Sequence, residues 1–168
     1  MKTVIILAMH GSPPKDFPKG ELAEFFRINS QIRQRKNISD IEREQYIFLE
    51  DKMRNWSRTA QNDPFHFASQ ELADLLSKES GYEVIVGYNE FCSPNLDEAL
   101  QSAASKNSDK IVVVTSMMTR GGEHSEKDIP AEIEEFRKRC PQIEIVYAWP
   151  FDSLHVSRFL AEHISRFI

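Results

Sequence analysis

The chain has 168 residues, 40% hydrophobic and 28% charged, with 26 acidic against 21 basic side chains and a net charge of −5. That length suits one domain with its own core, and the composition is that of a globular protein. The acidic balance argues against a nucleic-acid binder, which needs a basic face. Two cysteines, Cys92 and Cys140, are too few for a disulfide framework and lack metal-type spacing.

Thr3 to Ala8 (TVIILA) is a continuous β-branched and aliphatic run, which predicts a strand buried on both faces of a parallel sheet. The apolar stretch around it is too short for a signal peptide and lacks a small-residue cleavage site, so a cytoplasmic location is expected. No run approaches the ~18 apolar residues of a membrane span, so no membrane partner is expected. Residues 13–64 follow, far longer than a strand-to-helix connection requires. Within them, Glu21 to Arg35 (Leu22, Phe25, Phe26, Ile28, Ile32) and Asp40 to Trp56 (Ile41, Tyr46, Ile47, Leu49, Met53, Trp56) predict two amphipathic helices. This helical insertion reads as a lid over a site or as an oligomer contact.

Phe65 to Ser77 predicts the next helix and Tyr82 to Tyr88 (YEVIVGY) the second strand. Ser93-Pro94, a capping residue with Pro at the first helical position, opens a helix whose inner face is Leu96, Ala99, Leu100, Ala103 and Ala104. Lys110 to Thr115 (KIVVVT) is a third strand, Asp128 and Pro130 start a helix with Ile133 and Phe136 facing in, and Ile143 to Ala148 (IEIVYA) is a fourth strand; like the first, these strands are expected to be buried on both faces. Ser153 caps the last helix, where Val156, Phe159, Leu160, Ile164 and Phe167 repeat at helical spacing. His163 lies on that apolar face and is expected in the core; His155 and His66 sit in first turns, with surface or capping roles.

Right-handed crossovers between alternating strands and helices predict an α/β three-layer sandwich around a four-stranded parallel sheet of flavodoxin-like order 2-1-3-4. Residues 1–168 form a single domain, with the helical insertion at 13–64.

In such a sheet, ligands bind beyond the carboxyl ends of the strands, where strand order reverses. His10, Gly11 and Ser12 follow the first strand, Asn89 and Glu90 the second, and Ser116 to Asp128 the third, with Arg120, Gly121, Gly122, His124 and Lys127 in that loop. Singly, His10 reads as a turn residue, Glu90 as a solvated carboxylate and His124 as a surface histidine. Together, two imidazoles and a carboxylate leaving three adjacent strands form a candidate site for Fe, Co, Ni or Zn. Arg120 with the Gly121-Gly122 pair offers a guanidinium and backbone amides to an anion.

His10-Gly11-Ser12, Glu90 to Leu100 (EFCSPNLDEAL), Gly122 to Pro130 (GEHSEKDIP) and Ala148-Trp149-Pro150-Phe151 stand in that order. Together they resemble the class II tetrapyrrole chelatases, the sirohydrochlorin cobalto- and ferrochelatases of cobalamin and sirohaem synthesis. The resemblance covers Met1 to Ser12 and Phe65 to Ile168. Short members run almost directly from His-Gly-Ser into a helix, so residues 13–64 are a departure.

The resemblance implies that His10 binds metal and handles protons, that His124 is the second metal-binding histidine, and that Glu90 joins them. Ser12, Arg120, Gly121, Gly122 and Lys127 become candidates for substrate contact. No permanent cofactor is implied; Co²⁺ or Fe²⁺, with Ni²⁺ also compatible with these ligands, is a substrate alongside the tetrapyrrole. Single-copy members pair as homodimers, which is the expectation here. A non-catalytic metal carrier or tetrapyrrole-binding protein on the same fold is the alternative. A histidine phosphatase would carry Arg before the His-Gly, where Met9 stands.

Overall fold

The computed structural model describes all 168 residues. Four strands, β1 (Thr3–Met9), β2 (Glu83–Tyr88), β3 (Lys110–Thr115) and β4 (Glu144–Tyr147), form one sheet in the order β2-β1-β3-β4. All three pairings are parallel. The expected α/β class and 2-1-3-4 order are both present. Met9 pairs with Tyr88, and Ala8 with Thr115, so β2, β1 and β3 end nearly level and their following residues emerge at one end of the sheet.

The helices are α1 (Lys19–Arg33), α2 (Asp40–Arg54), α3 (Pro64–Ser80), α4 (Leu96–Ser105), α5 (Ile129–Arg139) and α6 (Ser153–Ile164). None is long and apolar enough to cross a membrane. Their starts follow capping chemistry. Asp63 caps α3, with Pro64 in its first turn. At α4 the cap is Asn95 rather than Ser93: Asn95 accepts from Glu98 N–H while the Glu98 carboxylate accepts from Asn95 N–H. That reciprocal box satisfies two orphan donors, which a lone Ser-Pro start cannot do. Asp152, not Ser153, caps α6, because its carboxylate accepts from His155 N–H.

The main core lies on one face of the sheet, where Val4, Ile6, Ala8, Ile111, Val113 and Ile145 meet Leu96, Leu100, Ile133 and Phe136 of α4 and α5. On the other face, a smaller core joins Leu7, Met9, Val86 and Tyr88 to Ala73 of α3. A third gathers Phe17, Phe25, Leu49 and Met53 within the α1–α2 hairpin, with Phe91 packed against it.

Two expectations fail at the C-terminal end. The apolar strands are not all buried on both faces: Val112 and Val114 are half-buried and Val146 is exposed. Nor does α6 enter the core. No residue of it is buried, and Phe159, Leu160, Ile164 and His163 face solvent. Helical spacing identifies an apolar stripe but not what covers it.

Candidate metal centre

Gly11 lets β1 meet the loop after β2. Its φ is +92°, and a Cβ there would lie 1.9 Å from the Glu90 carbonyl oxygen, so no other residue fits. Backbone hydrogen bonds run from Asn89 N–H to Met9 and from Glu90 N–H to His10, both 2.9 Å. The parallel pairing therefore continues past the strands and sets His10 beside Glu90.

His124 arrives from a π-helical turn, His124–Asp128, a form of helix that often marks functional sites. Its buried Ser125 fixes the turn. The Ser125 hydroxyl donates to Gly122 at 3.2 Å, and its carbonyl accepts from Tyr147 OH at 2.9 Å. Burial raises the Tyr147 phenol to about 12, so that donor keeps its proton.

The three side chains converge. His10 Nε2 and His124 Nε2 lie 4.0 and 3.9 Å from the same oxygen, Glu90 Oε2. The two imidazoles meet edge to face, centroids 4.6 Å apart at 89°. All three ligand atoms lie within 4.8 Å of one another. This is slightly wider than the ligand spacing around an ion with bonds of about 2.0–2.2 Å.

Both rings are poised through their other nitrogen. His10 Nδ1 is 2.9 Å from the Gly11 carbonyl and His124 Nδ1 is 2.7 Å from Asp128 Oδ2. Carbonyl and carboxylate oxygens only accept, so each Nδ1 carries a hydrogen, and in the neutral ring Nε2, on Glu90's side, is the nitrogen that holds the lone pair. The His124–Asp128 pair is the carboxylate–histidine arrangement that orients metal-binding imidazoles.

Glu90 divides two cavities. One, of about 430 Å³, opens past His124 and is lined by Asp97, Asp128, Glu132 and Glu135. Burial pushes the Glu132 carboxyl up, and Asp97 adds to the rise. Asn89 lines the same cavity, and its Nδ2 is buried without a hydrogen-bond partner. The other cavity, about 370 Å³, lies between Glu90, Phe91 and the Phe26–Arg33 face of α1.

The remaining sequence candidates do not join the three ligands. Ser12 turns away and donates to Asp63 at 2.9 Å. Arg120 and Lys127 are largely exposed on the loop rim, pairing with Glu126 and Glu123. Gly121 faces open space at φ +89°, and Gly122 packs on Ser125.

The structure adds residues that sequence reasoning passed over. Arg33 of α1 donates to Glu90 Oε1. Arg54 of α2 donates to the carbonyls of Cys92 and Asn89, and Arg58 to that of Phe91. Phe91, held between Phe25 and Phe26, stacks beside His10. Only Asp128, four residues after His124, left a readable signal.

Asp63, His66 and Cys92 form a second cluster of metal-ligating types within 4.8 Å. Arg58 Nη1 sits 2.5 Å from Asp63 Oδ2, supplying the positive charge a cation would bring, and burial pushes the Cys92 thiol up. This cluster is a structural joint.

The sequence model of the CbiX family matches residues 66–166, more than half of the chain. The chain belongs to the CbiX family. That agrees with the class II chelatase resemblance, and the matched span holds Glu90 and His124 while β1 and the α1–α2 hairpin precede it. The chain is similar to a sirohydrochlorin cobaltochelatase of Methanopyrus kandleri, 36% identical over 62 residues, covering 36% of this chain and 43% of that one. It is also similar to a sirohydrochlorin ferrochelatase of Priestia megaterium, 29% identical over 66 residues, covering 39% of this chain and 24% of that one. The match thus spans less than half the length of each of these relatives. A protein of Marinobacter aquaeolei VT8, described as a CbiX protein of cobalamin (vitamin B12) biosynthesis, shares the fold. Its TM-score is 0.51 at 20% identity, over 99% of this chain and 98% of that one.

Proposed function

We propose that this protein inserts a divalent metal, Co²⁺ or Fe²⁺, into a tetrapyrrole such as sirohydrochlorin, in the cytoplasm. The observation that carries this reading is the convergence of His10 Nε2, His124 Nε2 and Glu90 Oε2 at the carboxyl edge of the sheet, in a chain of the CbiX family.

Metallation converts M²⁺ and a macrocycle bearing two pyrrole N–H groups into the metal complex and two protons. His10 and His124 hold the ion through Nε2, with Glu90 as third ligand. Three protein donors leave positions open to the pyrrole nitrogens, whereas a closed four-ligand cage would retain the ion. As the ion passes into the ring, the two vacated imidazoles take up the two released protons. Arg120, Lys127 and the Gly121–Gly122 backbone, at the rim, attract the acidic substituents of the macrocycle. Residues 13–64 are an insertion into a single domain and form one wall of the cleft.

A metal carrier on the same fold would bind but not turn over. Visible absorption of sirohydrochlorin with Co²⁺ or Fe²⁺ and catalytic amounts of protein decides this. Many turnovers per protein are expected; a single stoichiometric event would replace the enzyme by the carrier.

The protein acts as a homodimer in this reading. The sheet face at Val112, Val114 and Val146 is only partly covered, and the apolar stripe of α6 lies open to solvent. A second copy satisfies both by reciprocal exchange of α6 under two-fold symmetry. Light scattering is expected to give twice 19.5 kDa. Changing Phe159 and Leu160 together to Glu is expected to give the monomer; a variant that stays dimeric would rule out this interface.

A further inference from the structure

We propose that Arg33 is a latch on Glu90: a positioning residue that holds the carboxylate in the metal-free site and retakes it as the ion leaves. The proposal rests on His10, Glu90 and His124 being the metal site.

The two oxygens of Glu90 face different partners. Oε2 lies 4.0 Å from His10 Nε2 and 3.9 Å from His124 Nε2, while Oε1 accepts from Arg33 Nη2. One carboxylate thus stands between the two imidazoles and a guanidinium. Arg33 ends α1, in the hairpin that precedes the family match.

Three arginines of residues 13–64 reach the loop that carries Glu90, and they differ in kind. Arg54 and Arg58 are largely buried and donate to backbone carbonyls of Asn89, Phe91 and Cys92, which fixes the loop. Arg33 is 55% exposed, and Glu90 is its one hydrogen-bonded partner. The cavity of about 370 Å³ beside Phe26 and Phe91 gives its side chain room to swing away. Of the three, Arg33 alone is both free to move and aimed at the functional carboxylate.

A divalent ion at Glu90 Oε2 competes with Arg33 for the same negative charge and repels the guanidinium. Binding therefore works against the Arg33–Glu90 pair, and departure of the ion restores it. Re-pairing offsets the carboxylate's loss of its metal, which lowers the barrier to handing the ion on. A substrate metal needs a site that orders it yet releases it, and a mobile cation at the rim supplies the second property. An exposed ion pair is weak enough to be displaced each time.

The test is calorimetric titration of Co²⁺ into wild type, R33Q, R33K and H10A, with the rate of Co²⁺ release to an excess of a chelating dye. R33Q is expected to bind Co²⁺ about three- to tenfold more tightly, with slower release, because it removes the competitor and the like charge. R33K keeps the charge and is expected to stay near wild type. A merely structural arginine would weaken binding when replaced, so the direction of the change discriminates. If H10A loses Co²⁺ but R33Q binds it as well as or less well than wild type, the latch is wrong and the metal site stands. If H10A binds like wild type, the metal site itself is wrong and the latch goes with it.

Discussion

Replacing His10 by alanine is expected to lower the rate of metallation by about 10²–10⁴-fold, the range for losing a positioned acid–base group, while the fold persists. His10 follows the last residue of β1 and its side chain is 46% exposed, so truncation leaves no core cavity. The loss falls on chemistry because Nε2 is one of three converging ligand atoms and the one donor from the first strand. Circular dichroism and thermal unfolding of the variant should match wild type while turnover collapses. Unchanged turnover would remove His10 from the mechanism. A collapse of both signals would reduce it to a structural residue.

Replacing Asp63 by alanine is expected to destabilise the fold by about 3–5 kcal/mol, a large part of the roughly 5–15 kcal/mol that holds a domain together. The Asp63 carboxylate is fully buried. It accepts from Ser12 at 2.9 Å, from His66 N–H at 3.0 Å as the cap of α3, and from Arg58 at 2.5 Å. Its removal strips the cap and leaves the Arg58 guanidinium buried and uncompensated. Asp63→Asn keeps acceptors for Ser12 and the helix and should lose less. Urea unfolding midpoints separate the three proteins; an alanine variant within about 1 kcal/mol of wild type would show that the joint carries little energy. The joint also ties the turn after His10 to the loop holding Cys92 and Glu90, so the same variant should bind Co²⁺ more weakly.

The strands were legible because a parallel sheet demands unbroken β-branched runs, and TVIILA, VIVGY and KIVVVT leave no helical alternative. The places of His10, Glu90 and His124 followed from the rule that sites lie past the carboxyl ends, and the geometry brings those three together. The bond from Ser12 to Asp63 was not legible, because a hydroxyl after a His-Gly turn gives no sign of a buried carboxylate fifty-one residues away. Arg33 was invisible for a related reason. On a helix with a charged outer face one arginine looks like the next, and only tertiary contact picks out the one that reaches Glu90. The stripe of α6 was read correctly as apolar and wrongly as inward, since periodicity specifies a face and not the chain that covers it.

Anomalous scattering from crystals soaked in Co²⁺ shows whether His10, Glu90 and His124 together hold the substrate metal. One strong peak is expected about 2.0–2.2 Å from His10 Nε2, His124 Nε2 and a Glu90 oxygen, with Arg33 turned away from the carboxylate. A peak between Asp63, His66 and Cys92, or none near His10, would contradict it.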